Sequence, residues 1–193
     1  MTPHKPQQVA YPRQIVSVDQ VLSPNPGLEA YMTGILSTKI YKYATVFVDH
    51  LSRYSYMHFQ KTSSAEDTIG GKHAFKRMSA SHGIIIKQYH ADSGIFRASA
   101  WIQCCQESSN THLKIYAGLD AHHTNSLSEK IIRDIRDNGR AMMLHSKHKC
   151  PKLITTNLWH YAIICTNNAY SATPFLAQPQ GLSPLHLFTG TQS

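Results

Sequence analysis

The chain has 193 residues, 41% hydrophobic and 16% charged, a globular composition with no apolar run near the 18 or more residues of a membrane span, so no membrane role is expected. Pro3, Pro6 and Pro12 interrupt an amino terminus without the apolar stretch of a secretory signal, and Cys104, Cys105, Cys150 and Cys165 lack framework spacing, so an intracellular protein with reduced thiols is expected. Nineteen Lys and Arg against eleven Asp and Glu give a net charge of +8, which makes nucleic acid the first partner to test, although a merely soluble basic protein has the same balance.

Residues 1–13 carry no pattern and read as a disordered lead-in. Ile15 to Val21 alternates as a short strand that sets Asp19 among apolar neighbours, and Leu22 to Lys42, broken by Pro24, Pro26, Gly27 and Gly34, reads as connection. Ala44–Val48 and Tyr54–Phe59 read as a hairpin around Asp49–Arg53, with Asp49 a turn acceptor rather than a metal ligand. Ser63 and Glu66 form a capping box opening a helix that runs past Ile69, Phe75 and Met78 to Gly83. Ile84 to His90 reads as a strand buried on both faces and ending at Asp92. Then come a helix through Ala98, Trp101, Ile102 and Cys105, a strand at Leu113–Ala117, a polar loop at Gly118–Ser128, and helices at Glu129–His145 and Trp159–Tyr170. A Pro-punctuated tail follows, and Leu153 to Ser193 contains no Lys, Arg, Asp or Glu, so it is expected to pack on the core or on another copy in a homo-oligomer. The order of elements predicts an α/β fold, one mixed sheet with helices packed on it. The boundaries read are 1–13 for the lead-in, 14–150 for the core and 151–193 for its extension.

Three carboxylates stand out. Asp19 lies within a strand, Asp92 closes the most apolar strand and Glu129 opens a helix, and burying unpaired carboxylates together is costly unless a cation joins them. Three oxygen donors without His or Cys suit Mg²⁺ or Mn²⁺, and two such ions can clamp the attacking and leaving oxygens of a phosphoryl transfer. The same residues also fit a Glu129 that complements its helix dipole and an Asp92 that shapes a turn.

Phe47-Val48-Asp49-His50-Leu51-Ser52-Arg53-Tyr54, Ala91-Asp92-Ser93-Gly94 and His123-Thr124-Asn125-Ser126-Leu127-Ser128-Glu129 together resemble, in order and spacing, the corresponding segments of copia-type retrotransposon integrases. Thirty-six residues separate Asp92 from Glu129, close to the spacing of that family's Asp-Asp-Glu triad. Ala141-Met142-Met143-Leu144, Trp159 and Ser183-Pro184-Leu185-His186-Leu187-Phe188-Thr189-Gly190 continue the likeness, which covers about residues 14 to 190. The resemblance implies a ribonuclease H-like mixed five-stranded sheet flanked by helices, with Asp19, Asp92 and Glu129 as catalytic residues and ligands of two Mg²⁺ or Mn²⁺ ions. It implies 3′-end processing and strand transfer of element DNA into target DNA, in the nucleus, with no small-molecule substrate. The alternatives carried beside it are an inactive nucleic-acid-binding remnant and a ribonuclease H-like polynucleotide nuclease.

Ser93 stands where the family has Asn, and Ser126 where it has Gly, which predicts restricted backbone freedom in the loop before Glu129. The family's amino-terminal zinc module and basic carboxyl-terminal region find no counterpart, so the chain reads as a core from a larger polyprotein.

At 100° per residue, Glu129, Arg133, Arg136 and Arg140 fall within about 60° of each other, with Leu127, Ile131, Ile135 and Met142 opposite. Lys130, Arg133, Arg136 and Arg140 are therefore candidate DNA-phosphate contacts, or a solvated helix face. His145, His148 and Cys150 lack the further ligands zinc needs. His90, His122 and His123 read as polar surface residues without an assigned role.

Overall fold

In the computed structural model, which describes residues 15–30, 36–92, 94–107, 112–115, 126–175 and 181–190, β1 (Ile15–Ala30) runs antiparallel to β2 (Leu36–Asp49), which pairs antiparallel with β3 (Ser55–Gln60). On its other edge β1 pairs in parallel with β4 (Gln88–Ala91), and β4 with β5 (His112–Ile115), giving a five-stranded mixed sheet of order β3-β2-β1-β4-β5. Leu22 to Lys42, expected as connection, is largely strand. The prolines are accommodated by an irregularity in which Leu22 pairs with Tyr43 but Gly27 with Tyr41, so Pro24 and Pro26 are not asked to donate to the ladder.

Helix α1 (Ala65–Ser81) starts one residue later than the sequence suggests. Ser64 is its N-cap, accepting from the Asp67 amide at 3.1 Å, and the Asp67 carboxylate turns back to the Thr62 amide and hydroxyl at 2.9 and 2.7 Å. It ends at His82, with Gly83 at φ 68°. The run after it is not a strand buried on both faces. Ile84 and Ile86 are buried while Ile85 is 72% exposed, so a single face of the run meets the core, and pairing begins only at Gln88. A 3₁₀ turn (Ile95–Arg97) leads into α2 (Ser99–Gln106), whose Trp101 and Cys105 are buried as their spacing predicts.

Helix α3 (Ser126–Lys149) and helix α4 (Trp159–Ala172) follow, and then a short helix α5 (Pro184–Thr189) in the stretch read as tail. Ser183 caps α5 by accepting from the His186 amide, Pro184 occupies its first turn, where a missing N–H costs nothing, and Gly190 closes it at φ 71°. Helix α5 carries Phe188 into the core, stacked on Tyr54 with ring centroids 4.5 Å apart.

The sheet divides two cores. Val16, Val18, Phe47 and Tyr89 meet Phe75 of α1, Trp101 of α2 and Phe188 of α5 on one face, where Phe47 and Phe75 stack at 4.8 Å. Val46 and Val48 meet Ile131 and Ile135 of α3, with Ile163 and Tyr170 of α4, on the other. Helix α4 is fastened to β3 by Asn167, whose Nδ2 donates to the Ser55 carbonyl at 3.0 Å. Helices α3 and α4 approach closely at buried Gly139, where a Cβ would stand 2.8 Å from Ile163 Cδ1. The expected mixed α/β sheet with flanking helices is present. No helix among the described residues is long and apolar enough to cross a membrane.

Candidate active site

Successive β1 side chains alternate between the two faces, so Val16 and Val18 enter the α1 side while Ser17, Asp19 and Val21 turn towards α3. In the parallel ladder Val18 pairs with Ala91, which sets Asp19 and Asp92 at matching positions one residue further along neighbouring strands. Glu129 lies in the first turn of α3, the helix laid across this face of β1 and β2.

The three sequence-predicted carboxylates therefore share one end of one face, and Asp19 registers the other two. Its carboxyl is pushed up to about 6, chiefly by burial, and further by the negative charges of Asp92 and Glu129, while the Gln20 amide, donating to Asp19 Oδ1 at 2.7 Å, opposes the rise. Asp92 shapes the turn after β4 by accepting from the Gly94 amide at 3.1 Å. No group of three or more His, Cys, Asp or Glu side chains among the described residues is drawn together tightly enough to hold a metal ion as it stands. The three carboxylates are neighbours through their fields rather than a closed ligand cage. As a donor set they fit a hard divalent cation, since carboxylate oxygens are its preferred ligands and its charge would remove the repulsion that Asp19 feels.

Asp49 is the turn acceptor the sequence suggests. It is buried, and its Oδ2 accepts from the Ser52 amide at 2.8 Å and the Ser52 hydroxyl at 2.6 Å. Ser126 is corrected. It is the first residue of α3 rather than part of a loop needing positive φ, a conformation that Arg53 alone adopts among the described non-glycine residues. Ser93, His122 and His123 lie outside the described residues, as do positions 1–13.

Lys130, Arg133, Arg136 and Arg140 all project from the exposed face of α3. Arg136 approaches Asp137 loosely, at 3.8 Å, with both side chains over 60% exposed. Leu127, Ile131 and Ile135 turn inward as predicted, but Met142 is 40% exposed. Arg136 and Arg140 rim a cavity of about 520 Å³ between the distal end of β1, α3 and Trp159. His145, His148 and Cys150 are exposed.

The sequence reading missed a buried polar row behind the carboxylates. His90, expected at the surface, is 6% exposed, pairs in register with buried Ser17, and has Gln88 Nε2 at 2.7 Å from its Nε2. Ser17 Oγ lies 2.6 Å from His50 Nε2, and the His50 and His90 rings meet edge to face at 5.2 Å. Burial, aided by Arg53, lowers His50 to about 4, so it is neutral at pH 7. The two-residue steps Ser17–Asp19 and Gln88–His90–Asp92 are the available signal, since alternate strand residues share a face.

No protein-family model matches the chain, and no curated protein matches it. Solved structures do. The HTLV-2 integrase catalytic core domain in complex with magnesium is similar in its trimeric form, with a TM-score of 0.59 at 17% identity over 93% of this chain and 98% of that one. Its dimeric form matches with a TM-score of 0.58 at 16% identity over 94% and 99%. The intasome of simian T-cell lymphotropic virus, in complex with PP2A regulatory subunit B56 gamma, gives a TM-score of 0.62 at 13% identity, covering 92% of this chain and 55% of that one. The chain has the ribonuclease H-like fold of retroviral integrase catalytic cores.

Proposed function

We propose that this chain is the catalytic core of a copia-type retrotransposon integrase, a polynucleotidyl transferase that processes the 3′ ends of element DNA and joins them to target DNA. The observation that carries the reading is Asp19, a β1 carboxyl raised by burial and by the charges of two further carboxylates that stand in the order and spacing of an Asp-Asp-Glu triad. The fold shared with integrase cores, one of them in complex with magnesium, supports it.

Asp19, Asp92 and Glu129 would hold two Mg²⁺ or Mn²⁺ ions. Such ions polarise the phosphodiester and neutralise the charge that develops on its attacking and leaving oxygens. The chain itself contributes position. Lys130, Arg133, Arg136 and Arg140 grip DNA phosphates along α3, which orients the scissile phosphate beside Glu129 without reading base sequence. Water is the attacking group in end processing and the 3′-hydroxyl of element DNA in joining, so no side-chain nucleophile is required. A homo-oligomer acting in the nucleus completes the proposal. The trimeric and dimeric forms of the HTLV-2 core support self-association.

The test is a gel assay with Mn²⁺ on branched and linear DNA for wild type, Asp92→Asn and Glu129→Gln. Cleavage and joined product, both lost in the two variants, are expected. Equal residual activity in the variants, or no activity in any form, would overturn the reading, and cleavage without joining would favour a nuclease.

A further inference from the structure

On the face of the sheet away from the carboxylates, α1 and α2 enclose a second group of reactive side chains that phosphoryl transfer leaves unused. Lys72 of α1 is only 3% exposed. Its Nζ donates to the Cys104 carbonyl at 2.6 Å, lies 3.3 Å from Cys104 Sγ, and sits 5.7 Å from the centroid of the Tyr89 ring. His73, the next residue and exposed, brings its Nε2 to 3.5 Å from the same sulfur. Burying an ammonium is costly unless an anion faces it. Of the groups around Lys72 Nζ, a carbonyl, a ring face and the thiols of Cys104 and Cys105, the half-buried Cys104 thiol is the nucleophile that solvent reaches. Cys105 is fully buried, and burial pushes its thiol up to about 11 against the pull of Lys72.

We propose that Cys104 is a hydroperoxide-reactive thiol, with His73 as proton acceptor and Lys72 as the cation facing the sulfur. Accessibility, a base and a cation are the three conditions that activate a cysteine nucleophile. In the reaction Cys104 Sγ attacks one peroxide oxygen, forming an S–O bond as the O–O bond breaks. Sulfur is oxidised by two electrons to a sulfenic acid, the hydroperoxide is reduced to water or alcohol, and the thiol proton passes through His73 Nε2 to the departing oxygen. Lys72 is a positioning residue that also ties the carboxyl end of α2 to α1.

The experiment uses the full chain with hydrogen peroxide at pH 7, traps sulfenic acid with dimedone, and quantifies each cysteine by peptide mass spectrometry. Cys104 is expected to label at least about tenfold faster than Cys150 and Cys165, although both are more exposed. His73→Ala and Lys72→Met should each slow Cys104 several-fold, and Lys72→Arg should restore most of the rate. Because His73 is exposed, its variant keeps the test decisive if Lys72→Met fails to fold. Labelling of Cys104 no faster than that of the exposed cysteines, or a rate unchanged in folded His73→Ala, overturns the proposal. No DNA or divalent ion enters the assay, so its outcome is independent of the integrase reading.

Discussion

Asp19 and Asp92 stand side by side, each one residue beyond the paired Val18 and Ala91, so the parallel register of β1 and β4 brings together two carboxylates that lie far apart in the chain. Asp19 holds its proton more tightly chiefly because it is buried, and further because of the charges of Asp92 and Glu129. A divalent cation bound to this set would favour the folded state. Mg²⁺ or Mn²⁺ at a hundredfold excess over Kd should raise the melting temperature by about 5–10 °C. Differential scanning fluorimetry of Asp19→Asn, Asp92→Asn and Glu129→Gln should show most of that rise gone, and an undiminished response in all three variants would dismiss the triad.

Asp19 and His50 should pull the acid stability of the metal-free protein in opposite directions. The Asp19 carboxyl, at about 6 instead of 3.8, binds a proton more tightly in the folded than in the unfolded state. Its contribution to stability therefore falls as pH rises from about 4 to about 6, by an amount of order 3 kcal/mol. His50, at about 4 instead of 6.5, binds its proton less tightly when folded, so its contribution is complete above pH 6.5 and is lost as pH falls towards 4. Urea titrations from pH 4 to 7 should find wild type nearly flat in this window. Asp19→Asn should become steadily less stable on acidification, and His50→Gln more stable. Parallel profiles for all three proteins would contradict both assignments.

If the exposed face of α3 grips phosphates, replacing Arg133, Arg136 and Arg140 together by Gln should weaken binding to unrelated duplexes about equally. It should also flatten the slope of log affinity against log salt by up to about three. Fluorescence anisotropy at several salt concentrations measures both quantities. Coincident slopes for wild type and variant would mark the face as merely solvated.

Gly27 is fixed by close approach. A Cβ there would lie 2.8 Å from His160 Nδ1 and 2.9 Å from Trp159 Nε1, both in rigid rings packed with Phe59. Gly27→Ala should cost about 1–3 kcal/mol in urea unfolding by overpacking. Gly70→Ala is the control. A Cβ at Gly70 meets nothing within 4 Å, and Ala is the better helix former, so this change should be neutral or stabilising.

The sequence by itself determined the features that repeat along one element. The alternation around Asp19 and the arginines that recur with Glu129 on one side of α3 follow from strand and helix periods, and both are where the periods put them. The likeness of short segments to integrases led to the same fold as the solved structures. Features that depend on distant segments were decided by the tertiary structure. Ser17 meets His50 across 33 residues, and Asn167 reaches Ser55 across 112. Phe188 enters the core from a stretch that reads as tail, and His90 is buried beside Ser17 of β1, with the His50 ring from the β2–β3 connection packed edge to face against it. The raised Asp19 and lowered His50 belong to this second class, because desolvation and the charges of neighbours are properties of packing, to which local residue patterns contribute only the residue types.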